Sequence, residues 1–263
     1  MSLTLVGSLA LLGAVGGFAA GLLGFGGGVL MFPLLYYVPP VLGLEKIEAN
    51  TVASVVMTQV FFSTLAGGIA HLRSGRVHGR IATSAGIVSA IGSFCGGVIS
   101  KWASERFLLV LFGGVTLIVV AMMLLPGPSK QQEEISLDRL RLPMMSLSVC
   151  SFITGIVIGF LGAGNFVFVP LLIYVLKVPT RVAIGSSLFI AMMNTAAGFL
   201  GKLLTAQIPI VTAAAVTLGA VMGAVAGEKI HGRVPARTLR YIYAIMVGSI
   251  AVRVWLTILS SST

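Results

Sequence analysis

Long apolar runs separated by short polar stretches dominate the chain. Eight of these runs contain no Asp, Glu, Lys or Arg, and all but the last, which has 12 residues before Arg253, can supply the roughly 20 residues that a helix needs to cross the hydrocarbon core of a bilayer. They cover residues 3–44, 49–72, 81–100, 107–129, 142–176, 182–201, 203–227 and 241–252. The pattern predicts an all-α polytopic membrane protein.

A glycine-rich block interrupts the first and the fifth run. Residues 17–35 read GFAAGLLGFGGGVLMFPLL, and residues 155–172 read GIVIGFLGAGNFVFVPLL. Four glycines align at a constant offset, and one deletion later Pro33 aligns with Pro170. Hydrocarbon tolerates a broken helix only where the freed backbone groups face protein or a water-lined cavity. Paired interruptions at matching places in two halves are typical of transporter binding sites.

The internal similarity extends beyond the glycine blocks. Further aligned pairs are Ala53-Ser54 with Ser186-Ser187, Ala66-Gly67 with Ala197-Gly198, and Gly92 and Gly96 with Gly223 and Gly227. Residues 1–127 are therefore predicted to form one membrane repeat and residues 142–263 a second. Residues 128–141 form a polar linker, whose charges suit an exposed connector.

The distribution of Lys and Arg favours one topology over another. If all eight runs cross the membrane, the basic residues other than Arg253, which lies within the last apolar segment, divide seven against nine, which gives no orientation signal. If the two glycine-broken segments dip in and return, twelve of these residues lie on the linker side, and Lys46, Lys101, Arg106 and Lys202 lie opposite. Twelve against four obeys the positive-inside rule. We therefore predict two inverted repeats, each with one re-entrant-like segment and three spanning helices.

Composition and charge agree with a membrane protein and exclude other classes. Hydrophobic residues make up 57% of the chain and charged residues 9%, against about 25% charged in a soluble domain. The net charge of +10 does not indicate nucleic-acid binding, because the basic residues are assigned to short loops. No carboxylate lies deep in a run, so neither an enzyme nor a carboxylate proton relay is indicated. No metal site and no cofactor are predicted.

The two breaks are the predicted ligand site. The opening turn of a helix has unpaired N–H groups and about half a positive charge, which attract anions. We predict backbone or amide contacts to the ligand from Gly26, Gly27, Gly28, Gly164 and Asn165. Six neutral polar residues are predicted to line the site: Asn50, Thr51, Ser54, Ser186, Ser187 and Asn194. Helix packing is the alternative role of the glycines, and interhelical hydrogen bonding that of the asparagines.

The chain resembles the TauE/SafE family of sulfite exporters and related permeases in three features. These are the doubled glycine block followed by Pro-Leu-Leu, the Ala-Ser and Ser-Ser pairs, and the length of eight runs. The resemblance covers nearly the whole chain. It implies a multi-pass carrier in the inner membrane of a bacterium or archaeon, moving small sulfur-containing anions such as sulfite, sulfoacetate or thiosulfate. The second block departs from the first at Asn165, where the first block continues in glycine, so the two halves are not expected to bind a ligand symmetrically.

The sequence therefore predicts an alternating-access carrier that holds its anion between the two breaks. Export is the expected direction, because moving a negative charge outward across an inside-negative membrane gains about 2.3 kcal/mol per 100 mV. An anion channel and a membrane subunit without its own pathway are the alternatives. The expected partners are the small anion and the lipid bilayer, without nucleic acid, and a homodimer is left open.

Overall fold

The computed structural model describes residues 3–23, 28–72, 79–124, 144–163, 165–178, 180–231 and 236–260. Within these ranges the chain forms ten helices and no strand, which confirms the all-α prediction. They are α1 Leu3–Leu23, α2 Gly28–Val41, α3 Ala49–Leu72, α4 Gly79–Ile99, α5 Glu105–Leu124, α6 Met144–Leu161, α7 Asn165–Pro170, α8 Thr180–Leu204, α9 Ile210–His231 and α10 Ala236–Ser260. A 3₁₀ turn, Ser100–Trp102, follows α4, and a π-helical turn, Leu171–Val175, extends α7.

The bundle buries polar side chains among apolar ones and exposes large apolar side chains on its surface. Central helix α3 is buried along residues 52–60 and includes Ser54, Thr58 and Gln59. Outer helices expose large apolar side chains, such as Met222 at 75% and Val252 at 62%. This distribution is what hydrocarbon rather than water requires of a surface.

Four helices in the described ranges are long and apolar enough to span a membrane. They cover Ala82–Trp102, Glu105–Met122, Met144–Leu161 and Ile210–Gly227. Shorter apolar helices account for most of the remaining described chain, among them Gly28–Val41 and Phe166–Val175 beside the predicted breaks. The protein is therefore a multi-pass membrane protein.

The first residue of α5, Glu105, marks one end of the bundle, which we call the Glu105 end. The hydroxyl of Tyr36, in the second half of α2, donates to its carboxylate at 2.6 Å, and Lys46 in the α2–α3 loop pairs with it at 2.9 Å. The amide of Asn50, in the first turn of α3, donates to the carbonyl of Ala103 at 2.9 Å. The end of α2, the start of α3 and the α4–α5 connection therefore lie together.

The order of contacts gives the helix directions. Glycines of α1 meet residues of α9 in the same order along both helices, so these helices are parallel. Gly13 meets Val216, Gly17 meets Ala220 and Gly21 meets Ala224. Helices α4 and α6 are parallel by the same criterion, since Gly92 meets Phe152 and Gly96 meets Ile156. Helices α3 and α8 are antiparallel, because Met57 meets Gly198 whereas Thr64 bonds Thr195.

Two helices flank each glycine break, and we call each pair a hairpin and the residues beside the break its tip: the first hairpin is α1 and α2, and the second is α6 and α7. In the first hairpin, α1 runs parallel to α9, which begins at the Glu105 end after Gln207, and Gln207 bonds Ser100 there. In the second hairpin, α6 runs parallel to α4 toward the Glu105 end. The inverted-repeat arrangement, the re-entrant course of the hairpins and the domain boundaries remain predictions.

Candidate functional site

The tips of the two hairpins meet inside the bundle. Gly28 is the first residue of α2, and Ala163 lies between α6 and α7. A Cβ atom on Gly28 would lie 3.1 Å from the Cα atom of Ala163 and 3.2 Å from the side chain of Val60 in the middle of α3. Both Gly28 and Ala163 are buried. The structure thus brings together residues beside the two breaks, whose glycines lie 138 residues apart in the sequence.

The second tip depends on a glycine in the left-handed region. Gly162 has φ +68°, and its N–H donates to the carbonyl of Ile158 at 2.8 Å, closing the end of α6. A Cβ atom there would overlap the carbonyl of Ala53 and lie 2.7 Å from the nitrogen of Met57. Glycine alone meets both the dihedral and the close approach to α3.

Part of the predicted contact set lies outside the described residues. This applies to Gly26, Gly27 and Gly164. Asn165 is the first residue of α7, and its side chain is outside the description as well. The described part of the set places Gly28 at the meeting point of the tips.

The lining residues predicted in α3 lie in its first turns. The amide nitrogen of Asn50 is used in the bond to Ala103, whereas its Oδ1 is buried and accepts no hydrogen bond from a described residue. The buried hydroxyl of Ser54 donates to the carbonyl of Asn50 at 2.8 Å, while Thr51 is half-buried. Asn50 therefore makes a structural hydrogen bond, here from α3 to the α4–α5 connection, of the kind that is the alternative to ligand contact.

Asn194 is the most distinctive of the lining residues predicted in α8. Its side chain is 0% exposed, and neither its Nδ2 nor its Oδ1 has a hydrogen-bond partner among the described residues. Ser186 and Ser187 are also buried and lie about two turns earlier in the same helix. An unpartnered buried amide costs free energy, so its presence in the interior points to a ligand or water that satisfies it.

Helices α3 and α8 cross through equivalent residues of the two predicted repeats. The hydroxyls of Thr64 and Thr195 share a hydrogen bond at 3.0 Å, and both residues are buried. The rings of Phe61 and Phe199 stack with centroids 5.0 Å apart on the same crossing. These contacts join the halves beside the residues that were predicted to line the site.

Lys202 is a candidate functional residue whose position differs from the one that the sequence pattern predicts. The pattern assigns it to an outer loop, but it lies in the last turn of α8 and is 0% exposed. Its ammonium donates to the hydroxyl of Ser100 at 2.7 Å and to the carbonyl of Phe160 at 3.5 Å. Its position near the end of an apolar run resembles that of an interfacial lysine, and only the rotation of α8 turns it inward.

Charged groups outside the interior are few in the described residues. Lys46 in the α2–α3 loop forms the salt bridge to Glu105, and this hydrogen-bonded partner raises the pKa of the Lys46 ammonium. In the described ranges no three His, Cys, Asp or Glu side chains lie close enough to hold a metal ion. The neutral and cationic interior is suited to an anion.

Comparison with known proteins agrees with this geometry. The model of the family described as "Sulfite exporter TauE/SafE" matches residues 9–254. The chain belongs to the TauE/SafE family. It is therefore a membrane transporter of that family, and the resemblance predicted from the doubled glycine block is confirmed.

Similar proteins carry names of the same kind. A "Probable membrane transporter protein" of Xylella fastidiosa is 38% identical over 177 residues, which cover 67% of this chain and 66% of that protein. "Probable membrane transporter protein YunE" of Bacillus subtilis is 21% identical over 91% of this chain and 93% of its own length. A "Probable membrane transporter protein" of the archaeon Methanocaldococcus jannaschii is 23% identical over 76% of this chain and 73% of its own length. No solved structure matches the chain.

Proposed function

We propose that this TauE/SafE protein is an alternating-access carrier for small sulfur-containing anions such as sulfite, thiosulfate or sulfoacetate. The observation that carries the proposal is the contact of the two hairpin tips, Gly28 against Ala163, inside the bundle. The first turn of α2 brings unpaired backbone N–H groups to this point, and such groups attract anions. The sulfite exporter description of the family favours a sulfur oxyanion as the cargo.

The proposed architecture is a pair of inverted repeats with re-entrant hairpins. Three contacts between helices support it, because each contact corresponds to another of the three, or to itself, when the two repeats are exchanged. Helix α1 packs on α9 as α6 packs on α4, and α3 packs antiparallel on its equivalent, α8. The hairpins also start at opposite ends of the bundle. This arrangement is common among secondary transporters, whose ligands lie at the repeat interface.

The proposed transport cycle depends on the two hairpins entering the bundle from opposite ends. Movement of the first hairpin against the α3–α8 crossing would open the site toward one end, and movement of the second would open it toward the other. The anion is held by backbone N–H groups at the tips and by polar side chains such as Asn194. Only one end opens at a time, which is the condition for a carrier.

Direction and orientation follow from charge. The Glu105 end is proposed to face outward, because four basic residues are assigned to it and twelve to the linker end. The host membrane is proposed to be the inner membrane of a bacterium or archaeon. Export then needs no coupled ion, since an outgoing monoanion gains about 2.3 kcal/mol per 100 mV of inside-negative potential.

Flux through purified protein in proteoliposomes tests the substrate. Radiolabelled sulfite, thiosulfate and sulfoacetate are loaded separately, and an inside-negative potassium potential is applied. We expect saturable efflux of at least one of the three. Gly28→Leu should abolish it, because the side chain would enter the contact with Ala163 and Val60.

Gly7→Leu is the matched control. Gly7 lies in α1 with open space around its Cβ position, so this change should leave the efflux intact. Absence of efflux of all three anions through the unmodified protein would contradict the proposed substrate class. Full efflux through Gly28→Leu would contradict the proposed site.

A further inference from the structure

Lys202 turns inward although solvent or lipid headgroups are within reach. It lies in the last turn of α8, and the two residues that follow it, Leu203 and Leu204, are 46% and 73% exposed. A lysine at such a place ordinarily extends its long side chain to the interface. Lys202 is instead completely buried. A buried ammonium is costly unless an anion or several acceptors compensate it.

The described surroundings of this ammonium contain acceptors but no carboxylate. Its two recorded partners are the hydroxyl oxygen of Ser100 and the carbonyl oxygen of Phe160. The salt bridge recorded in the described ranges joins Lys46 to Glu105 instead. An ammonium has three N–H donors, and these two contacts use two of them.

A neutral network holds Ser100 in position to face the ammonium. The hydroxyl of Ser100 lies 2.7 Å from the carbonyl of Gly97 and 3.0 Å from Oε1 of Gln207, and it can donate its one proton to either. The amide nitrogen of Gln207 donates to the same Gly97 carbonyl at 2.8 Å. The network therefore fixes the position of the positive charge without neutralising it.

The charge also lies at the second hairpin tip. Phe160 is the residue before Leu161, which ends α6, and Gly162 of the tip follows. An anion that reaches this tip from the Glu105 end would therefore lie close to the buried ammonium of Lys202. One of the three N–H donors of this ammonium has no partner among the described residues. Pairing in such a site is stronger than at a surface, because the local dielectric is low.

We infer that Lys202 is an anion-binding residue that supplies the positive charge of the transport site at the second hairpin tip. This inference rests on the proposed carrier function and deepens it, since it assigns the countercharge of the cargo. An alternative role is purely structural, in which the ammonium only satisfies carbonyl oxygens at the end of α6. The two roles differ in their effects on stability and on ligand binding.

Lys202→Met separates these roles, because it keeps the length of the side chain and removes the charge. Replacing a buried charge by an apolar residue of similar volume is often neutral or stabilising. We therefore expect an unchanged or higher melting temperature without anion, loss of the melting-temperature increase produced by sulfite, and sulfite efflux lowered by at least about tenfold. Lys202→Arg, which retains the charge, should restore part of the efflux.

Lys101→Met is the matched control. Lys101 is exposed at the same end of the bundle, beside Ser100, so this change removes one positive charge without entering the network. It should leave efflux and the sulfite-induced shift unchanged. If the unmodified protein transports sulfite and Lys202→Met transports it equally well, the inference is wrong while the carrier function stands.

Two further outcomes would also overturn the inference. A retained sulfite-induced shift in Lys202→Met would show that Lys202 does not bind the anion. A parallel fall of melting temperature and efflux would assign it a structural role. If the unmodified protein neither moves nor binds sulfite, thiosulfate or sulfoacetate, the proposed function fails, and the inference fails with it.

Discussion

At the scale of single residues, the buried polar side chains of the described interior fall into two groups. One group is bonded within the protein, as in the Thr64–Thr195 pair between α3 and α8. The other group has polar atoms without a described partner, and Asn194 is its clearest member because both atoms of its amide are involved. The first group holds helices together, whereas the second is available to a ligand.

Separate substitutions of two neighbouring residues of α8, one from each group, test this division between bonded and unpartnered side chains. Asn194→Ala removes no recorded bond, so the melting temperature should change little, while the Michaelis constant for sulfite should rise about two- to tenfold, as the loss of one hydrogen bond to a ligand predicts. Thr195→Val removes the bond to Thr64 and should lower stability by about 0.6 kcal/mol. A large loss of stability in Asn194→Ala, with unchanged transport, would place this side chain in the packing instead.

The sequence predicts the inward position of Asn194 but not that of Lys202. An asparagine within an apolar run must face the interior, since lipid does not satisfy it, so its direction is predictable from its type. A lysine near the end of a run reaches either the interface or the interior, and the choice depends on the packing of α8 against α4 and α6. That packing is tertiary information.

At the scale of elements, the two hairpins arise from local sequence and meet through long-range packing. Helix α6 ends at Leu161 because Gly162 adopts a left-handed conformation, which the glycine cluster predicts. The close approach of this turn to Ala53 and of Gly28 to Ala163 depends on α3. The position of the second break was therefore predictable, whereas its contacts were not.

Two glycines with similar dihedrals separate conformational strain from close approach. Gly43 has φ +73° and open space around its Cβ position, so Gly43→Ala should cost only the left-handed conformation, about 1–2 kcal/mol. Gly162 has φ +68°, and the Cβ atom that Gly162→Ala adds would also overlap the carbonyl of Ala53. This substitution should lower the melting temperature much further and abolish transport. Equal melting temperatures of the two variants in detergent would contradict the packing of this tip on α3.

At the scale of the whole molecule, the twofold sequence pattern corresponds to reciprocal packing of the two halves. Glycines of α1 lie on the backbone of α9, and those of α4 and α6 lie on each other, so small residues allow both close pairs. The charge count and the proposed re-entrant course of the hairpins distinguish the same two ends of the bundle. Eight apolar runs become ten helices in the described residues because a glycine block divides two of the runs.

Reporter fusions test the membrane topology that this arrangement implies. A fusion at Thr263 should report the outer side and one at Gln132 in the linker should report the inner side, since the basic residues assigned to the linker end hold that end in the cytoplasm. Alkaline phosphatase and green fluorescent protein fusions give opposite signals and control each other. Both positions on one side of the membrane would contradict the inverted repeats.

Counterflow in proteoliposomes tests most directly whether the protein is an alternating-access carrier. Vesicles containing the unmodified protein are loaded with a high concentration of unlabelled sulfite and diluted into a trace of labelled sulfite, with the membrane potential clamped at zero. A carrier exchanges one anion for another, so the label should accumulate transiently above its external concentration and should not do so in vesicles containing Gly28→Leu. Entry of label only to equilibrium, without overshoot, would show a channel and contradict the account.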